Sequence, residues 1–216
     1  MNQMGAYPIM LNIKNQEVVV VGGGTIAYRK IRGLLQAGAN ITVISPEIEE
    51  RIETLRRERR NVWRKKEFES ADITSALLVI AATNSNVVNE LVAFATMKHQ
   101  LVNIVDNPEL SNFHVPAKLT RGDLTISVAT GGASPTLAKV IRDELSSVYD
   151  DSYAEYLAFL AEVREKVKNS PLDRATKMHY LKEVTNVMYR HSIEAQQDFL
   201  EIIDGFASKQ PIPSLR

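Results

Sequence analysis

The chain has 216 residues, 44% hydrophobic and 24% charged, a composition that excludes extensive disorder. Lys+Arg and Asp+Glu number 26 each, so no charge excess points to nucleic acid or a membrane surface. The absence of cysteine excludes disulfides, thiolate metal sites and cysteine nucleophiles, and suits a reducing cytoplasm. The longest apolar runs, such as Val18 to Val21 and Ala76 to Ala82, fall far short of the roughly 20 residues a membrane helix needs. Met1 to Pro8 has neither a basic nor an apolar region, so no signal peptide is expected.

The first half alternates strand-like and helix-like segments. Glu17 to Val21 is a β-branched run that stops at Gly22-Gly23-Gly24, the pattern of a strand buried on both faces. Thr25 to Ala37 then reads as a helix with Gly38 as its C′ residue, and Ile41 to Ile44 as a second strand stopped by Ser45-Pro46. Pro46 to Arg60 reads as helical and Val62-Trp63 as a short strand-like piece. Leu77 to Ala82 is a third central strand, Asn86 to Lys98 a helix, and Leu101 to Val105 a fourth strand. This alternation predicts crossovers and a parallel, Rossmann-like α/β sheet.

After Asp106 the pattern changes. Asn107-Pro108 is a turn, Ser111 to Leu119 reads as irregular, and Leu124 to Ala129 as an alternating strand ending at Gly131-Gly132. Pro135 opens a helix through Leu145, in the first turn where its missing N–H costs nothing. From Ser152 the signal is helical: one helix through Tyr156 to Val163 broken at Asn169-Ser170-Pro171, a second through Met178 to Met188, a third through Ile193 to Phe206, and a frayed end at Pro211-Ile212-Pro213. The predicted division is a nucleotide-binding domain over 1–113, a small α+β segment over 114–148 and an all-helical domain over 149–216.

Gly22-Gly23-Gly24-Thr25-Ile26-Ala27 matches G-x-G-x-x-A between a strand and a helix, the context in which this motif binds a dinucleotide. Gly22 permits the tight turn, Gly24 lets backbone approach a pyrophosphate, and the N–H groups of Thr25 and Ile26 face the phosphates at the positive end of the helix dipole. The acidic residue that usually ends the second strand and holds the ribose is replaced by Ser45-Pro46-Glu47. Either Glu47 reaches back to the ribose, or Ser45 and backbone groups do; NAD and NADP are not separated by these residues. Arg29 and Lys30, further along the helix, read as a solvated face, as does the basic run Arg56-Arg57, Arg59-Arg60 and Arg64-Lys65-Lys66.

Four blocks carry a specific resemblance: Val21 to Lys30; Ala81-Ala82-Thr83-Asn84 followed by Asn89; Val102 to Asp106 with Phe113 and Pro116; and Thr130 to Ala138. In this order and spacing, over about residues 5 to 145, they resemble the precorrin-2 dehydrogenase family of siroheme synthesis. The resemblance implies oxidation of the tetrapyrrole precorrin-2 to sirohydrochlorin with NAD as hydride acceptor. It also implies a homodimer whose contacts come from about residues 115 to 145, a role for Asp106 in the chemistry, and a position for Thr130 near the tetrapyrrole. Some members of the family also insert iron, and the motifs leave open whether this chain does. A nucleotide-sensing module without turnover would share the glycine loop but would not account for Asp106 together with the Thr130 to Ala138 block.

Asp106 follows a sheet strand at its carboxyl end, where open α/β sheets bind ligands. A partly buried carboxylate there would be a suitable proton acceptor, its affinity for protons raised by desolvation; alternatively Asp106 only starts the turn at Asn107-Pro108. Thr83 is expected to touch the cofactor's ribose or adenine. Gly131-Gly132 either cradles substrate carboxylates with the next helix's N–H groups or turns the chain at the dimer interface. His114 either moves a proton or simply lines the cleft, and the four histidines have no spacing that makes a metal site.

Overall fold

A computed structural model describes residues 6–207, which form two compact units that divide between Val115 and Pro116. The sequence readings for Met1 to Gly5 and for Pro211-Ile212-Pro213 lie outside the described residues.

The first unit is a five-stranded parallel sheet: β1 (Glu17–Val21), β2 (Asn40–Ile44), β3 (Val62–Arg64), β4 (Leu78–Ala81) and β5 (Leu101–Ile104), in the order β3-β2-β1-β4-β5. The strands are apolar throughout because both faces are covered. Val18 and Val20 pack with Ala27 and Ile31 of α1 (Thr25–Gln36) and with Ile52 of α2 (Glu50–Arg57). Val19 and Val21, pointing the other way, pack with Ile73 and with Val92 of α3 (Asn86–Ala95). Winding reverses between β1 and β4, so a crevice opens at the carboxyl ends of these two strands, the topological switch point of such sheets. Gly38 ends α1 with a positive φ of 78°, as its sequence position predicts.

The second unit comprises a hairpin of β6 (Ala117–Arg121) and β7 (Leu124–Val128), then α4 (Pro135–Val148), α5 (Ser152–Asn169), α6 (Arg174–Glu183), α7 (Val187–His191) and α8 (Ile193–Ala207). Its core is aromatic: Tyr156, Phe159, Val163 and Val167 line one stripe of α5 and meet Tyr189, Phe199 and Ile203. Phe159 and Phe199 cross edge to face with ring centres 6.4 Å apart, and Tyr189 meets Phe199 at 5.2 Å.

Three sequence readings are corrected. Residues up to Leu119, expected to be irregular, include β6. Only Leu119 of that strand is buried, so its apolar pattern is faint, and its partner is supplied across the Gly122-Asp123 turn, with Gly122 at φ 54°. The helix expected from Pro46 starts instead at Glu50, because the segment before it folds back on the glycine loop, Glu49 N–H donating to the Gly23 carbonyl at 2.9 Å. The single helix expected through Met178 to Met188 is two, α6 and α7, with the Asn186 side chain accepting from Met188 N–H to start the second.

Candidate functional site

The crevice at the switch point is a cleft of about 610 Å³ whose lining includes Gly22, Gly24, Ser45, Pro46, Glu47 and Thr83, six residues singled out from the sequence. Gly22 leaves β1 with φ 117°, and a Cβ there would overlap the backbone of Ala82 just past β4. Gly23, given no role in the sequence reading, is equally constrained: a Cβ on it would collide with the Glu47 carbonyl and lie 2.9 Å from Ile48 Cα. Gly24 differs, with nothing within 4 Å of a Cβ position and an ordinary extended backbone, φ −91°. Two glycines therefore pack the loop, and the third leaves space at the start of α1.

That helix start has no side-chain cap and no acidic residue in its first turn. Tyr28 N–H donates to the Gly24 carbonyl at 2.9 Å, so the N–H groups of Thr25, Ile26 and Ala27 precede the first intrahelical bond. Thr25 and Ile26 are exposed and stand outside the cleft lining. The Thr25 hydroxyl donates to Glu49 Oε2 at 2.9 Å, and Arg51 Nε pairs with the same carboxylate at 2.8 Å while its guanidinium stacks over Tyr28. Glu49, absent from the sequence reading, thus brings a carboxylate to the start of α1. Glu47 side chain is exposed, and Ser45 is buried with its backbone tied to β3: its N–H reaches Arg64 O and its carbonyl accepts from Trp63 Nε1 at 2.9 Å. Lys66, which also lines the cleft, is held by Glu69 and Asp72; these contacts keep its ammonium above the usual lysine range.

Asp106 follows β5 and is exposed, so the expected partial burial is corrected: the strand ends at Ile104 and the chain turns outward at Val105. Its carboxylate is held from the side. Asn89, 1% exposed on the first turn of α3, donates from Nδ2 to Asp106 Oδ2 at 3.0 Å. The same amide accepts from the Thr83 hydroxyl at 2.8 Å and from Thr83 N–H at 3.3 Å, which connects Asp106 to the cleft wall. Thr83 is itself fixed by Ser85, whose N–H it accepts at 3.1 Å.

Lys30 is not on a solvated face. It is half-buried and donates to Asn103 Oδ1 at 3.3 Å, and Asn103 donates onward to the Phe113 carbonyl at 3.2 Å. Burial, followed by the neighbouring charge of Arg29, pushes the Lys30 ammonium below its ordinary range. Nothing in the sequence separates Lys30 from its neighbours Arg29 and Arg32 on α1, so its burial carried no sequence signal. His114 follows Phe113 and is exposed.

Thr130, Gly131 and Gly132 belong to the second unit. The Thr130 hydroxyl donates to the Ser134 carbonyl at 2.9 Å and accepts Ser134 N–H at 3.1 Å, closing a loop through Gly131 (φ 60°) and Gly132 (φ 85°). Ser134 Oγ caps α4 by accepting from Leu137 N–H, so that donor of the helix start is already used. Among the described residues no three His, Asp or Glu side chains gather where a metal ion could sit, and no helix is long and apolar enough to cross a membrane.

A parallel sheet with this strand order, a glycine turn packed against its neighbours and an open helix start at the switch point define a dinucleotide-binding α/β protein. Residues 9–117 match a family described as putative NAD(P)-binding, 121–147 the sirohaem biosynthesis protein central family, and 153–199 the SirC C-terminal domain. A precorrin-2 dehydrogenase of Priestia megaterium is 36% identical over 93% of this chain and 99% of its own length. One of Bacillus subtilis is 35% identical over 74% and 98%. The solved structure of a SirC precorrin-2 dehydrogenase superposes with a TM-score of 0.83 at 36% identity, over 93% of this chain and all of that one. The chain belongs to the precorrin-2 dehydrogenase family.

Proposed function

We propose that this chain oxidises precorrin-2 to sirohydrochlorin in siroheme biosynthesis, with NAD as hydride acceptor. The observation that carries the reading is relatedness along the whole length of a precorrin-2 dehydrogenase, 36% identity over 99% of it. The open position at Gly24 and the uncapped start of α1 suit a pyrophosphate, because free N–H groups and the helix dipole favour an anion there. Ser45, Pro46, Glu47 and Thr83 would hold the remainder of the dinucleotide along the cleft. Bound NAD supplies the hydride acceptor. The substrate loses a hydride and a proton, and Asp106 takes the proton: its Oδ2 is engaged by Asn89, while its Oδ1 meets no donor among the described residues.

In this reading Thr130, Gly131, Gly132 and His114 contact the carboxylated tetrapyrrole, and residues 114–148 form the contacts of a cytoplasmic homodimer between the nucleotide domain, 1–113, and the helical domain, 149–216. Leu137, Val140 and Val148, exposed along one stripe of α4, supply apolar surface for such contacts. The test is turnover of precorrin-2 by the purified protein with NAD, repeated with NADP, following nicotinamide reduction and sirohydrochlorin absorbance together. Equal amounts of both products support the reading. Nucleotide binding without turnover would replace it with a sensing module.

A further inference from the structure

From the hydrogen bonds around Asn89 we infer that this residue is a positioning residue for the reaction, aiming the Asp106 carboxylate and fixing it to the Thr83 wall of the cleft. The inference rests on the reading of Asp106 as proton acceptor. Asn89 is almost fully buried, on the first turn of a helix whose N-cap, Ser85, already accepts from Val88 N–H. A buried side-chain amide at this point is not needed for capping, and leucine would be a better helix former. Its polar atoms are instead all engaged. Nδ2 donates to the Thr83 carbonyl at 3.3 Å and to Asp106 Oδ2 at 3.0 Å; Oδ1 accepts from Thr83 N–H and the Thr83 hydroxyl.

This set of partners allows one orientation of the amide. Turned over, its oxygen would face a carbonyl and a carboxylate, and its NH₂ would face an N–H. The network therefore needs a group with donors on one side and an acceptor on the other. Aspartate supplies only the acceptor and serine is too short to span both. Asn89 is also the side chain that donates to Asp106 among the described residues, and the carboxylate is otherwise exposed on a turn, free to rotate. Fixing one oxygen leaves the other directed for proton transfer, the kind of preorganisation on which general-base catalysis depends.

Asn89→Asp tests this, because it keeps the acceptor toward Thr83 and removes the donor toward Asp106. In the full chain, kcat for precorrin-2 should fall at least about tenfold near pH 8; the thermal midpoint falls as well, because a buried carboxylate then faces the Thr83 carbonyl and Asp106, so kcat is read on the folded protein below its melting transition. The deficit should shrink as pH is lowered, since a protonated carboxyl at this position can donate to Asp106 again. Combined with Asp106→Asn, it should add no further loss, as groups acting through one another are not additive. Parental kcat, a deficit unchanged with pH, or losses that multiply in the double variant would overturn the proposal, provided Asp106→Asn alone is impaired. Parental turnover of Asp106→Asn would instead remove the underlying reading. Should Asn89→Asp not fold, Asn89→Ser is judged by its kcat and the same double-variant comparison.

Discussion

Gly23 lies against the carbonyl of Glu47 so closely that a single methyl group would overlap that oxygen, whereas its neighbour Gly24 faces open space. The loop after β2 is thereby docked onto the loop after β1, and the Glu49 N–H bond to Gly23 fixes it there. Adjacent glycines consequently serve different ends, one packing and the other access for a ligand.

Substitution at these two positions should separate folding from binding. Gly23→Ala is expected to destabilise the chain by about 2 kcal/mol or more, since the backbone of Glu47 and Ile48 crowds it and cannot take a methyl without moving. Gly24→Ala is expected to change stability by no more than about 1 kcal/mol, yet to weaken NAD binding at least about tenfold by filling the phosphate position. Denaturant unfolding and titration calorimetry with NAD measure the two effects.

Asp106→Asn should leave folding and NAD affinity intact, because an asparagine at this exposed position still offers Asn89 a carbonyl oxygen to donate to. Turnover of precorrin-2 should fall at least about tenfold through loss of the base. Steady-state kinetics alongside a thermal melt check this, and unchanged turnover would take Asp106 out of the chemistry.

Lys30 carries a pH signature. Burial holds its pKa in the folded chain below the usual 10.5, so between those two values the unfolded chain retains a proton that the folded chain has released. Stability contributed by this group therefore rises with pH across that window. The stability of the parent relative to Lys30→Met should increase as pH rises toward 10.5, read from urea unfolding of both proteins at each pH. A constant difference would show that the ammonium is effectively solvated.

In the helical unit, the buried Tyr156 hydroxyl donates to the Val184 carbonyl at 2.9 Å, joining α5 to the end of α6. Tyr156→Phe keeps the ring in the aromatic core and leaves that carbonyl without this donor, at a cost of about 1–3 kcal/mol. Equilibrium unfolding measures it, and a neutral result would mean that water replaces the hydroxyl.

Much of the first unit was legible from residue order alone. Val18 to Val21, Leu78 to Ala81 and the glycine motif announce themselves because strand burial and tight turns act on neighbouring residues. β6 was not legible, since Ala117 to Arg121 buries one side chain and gains its strand character from β7. The half-buried state of Lys30 was hidden likewise, as its partner Asn103 lies 73 positions away.

By itself, the sequence determined the class of fold, the position of the dinucleotide turn and the family, because each rests on local spacing or on ordered blocks of identity. Only the tertiary structure decided which glycine packs and which stays open, that Glu49 meets Thr25 at the helix start, and that Asp106 is exposed and held by Asn89. Those relationships join side chains brought together by separate elements, and their energies depend on distances that exist only once the sheet has formed.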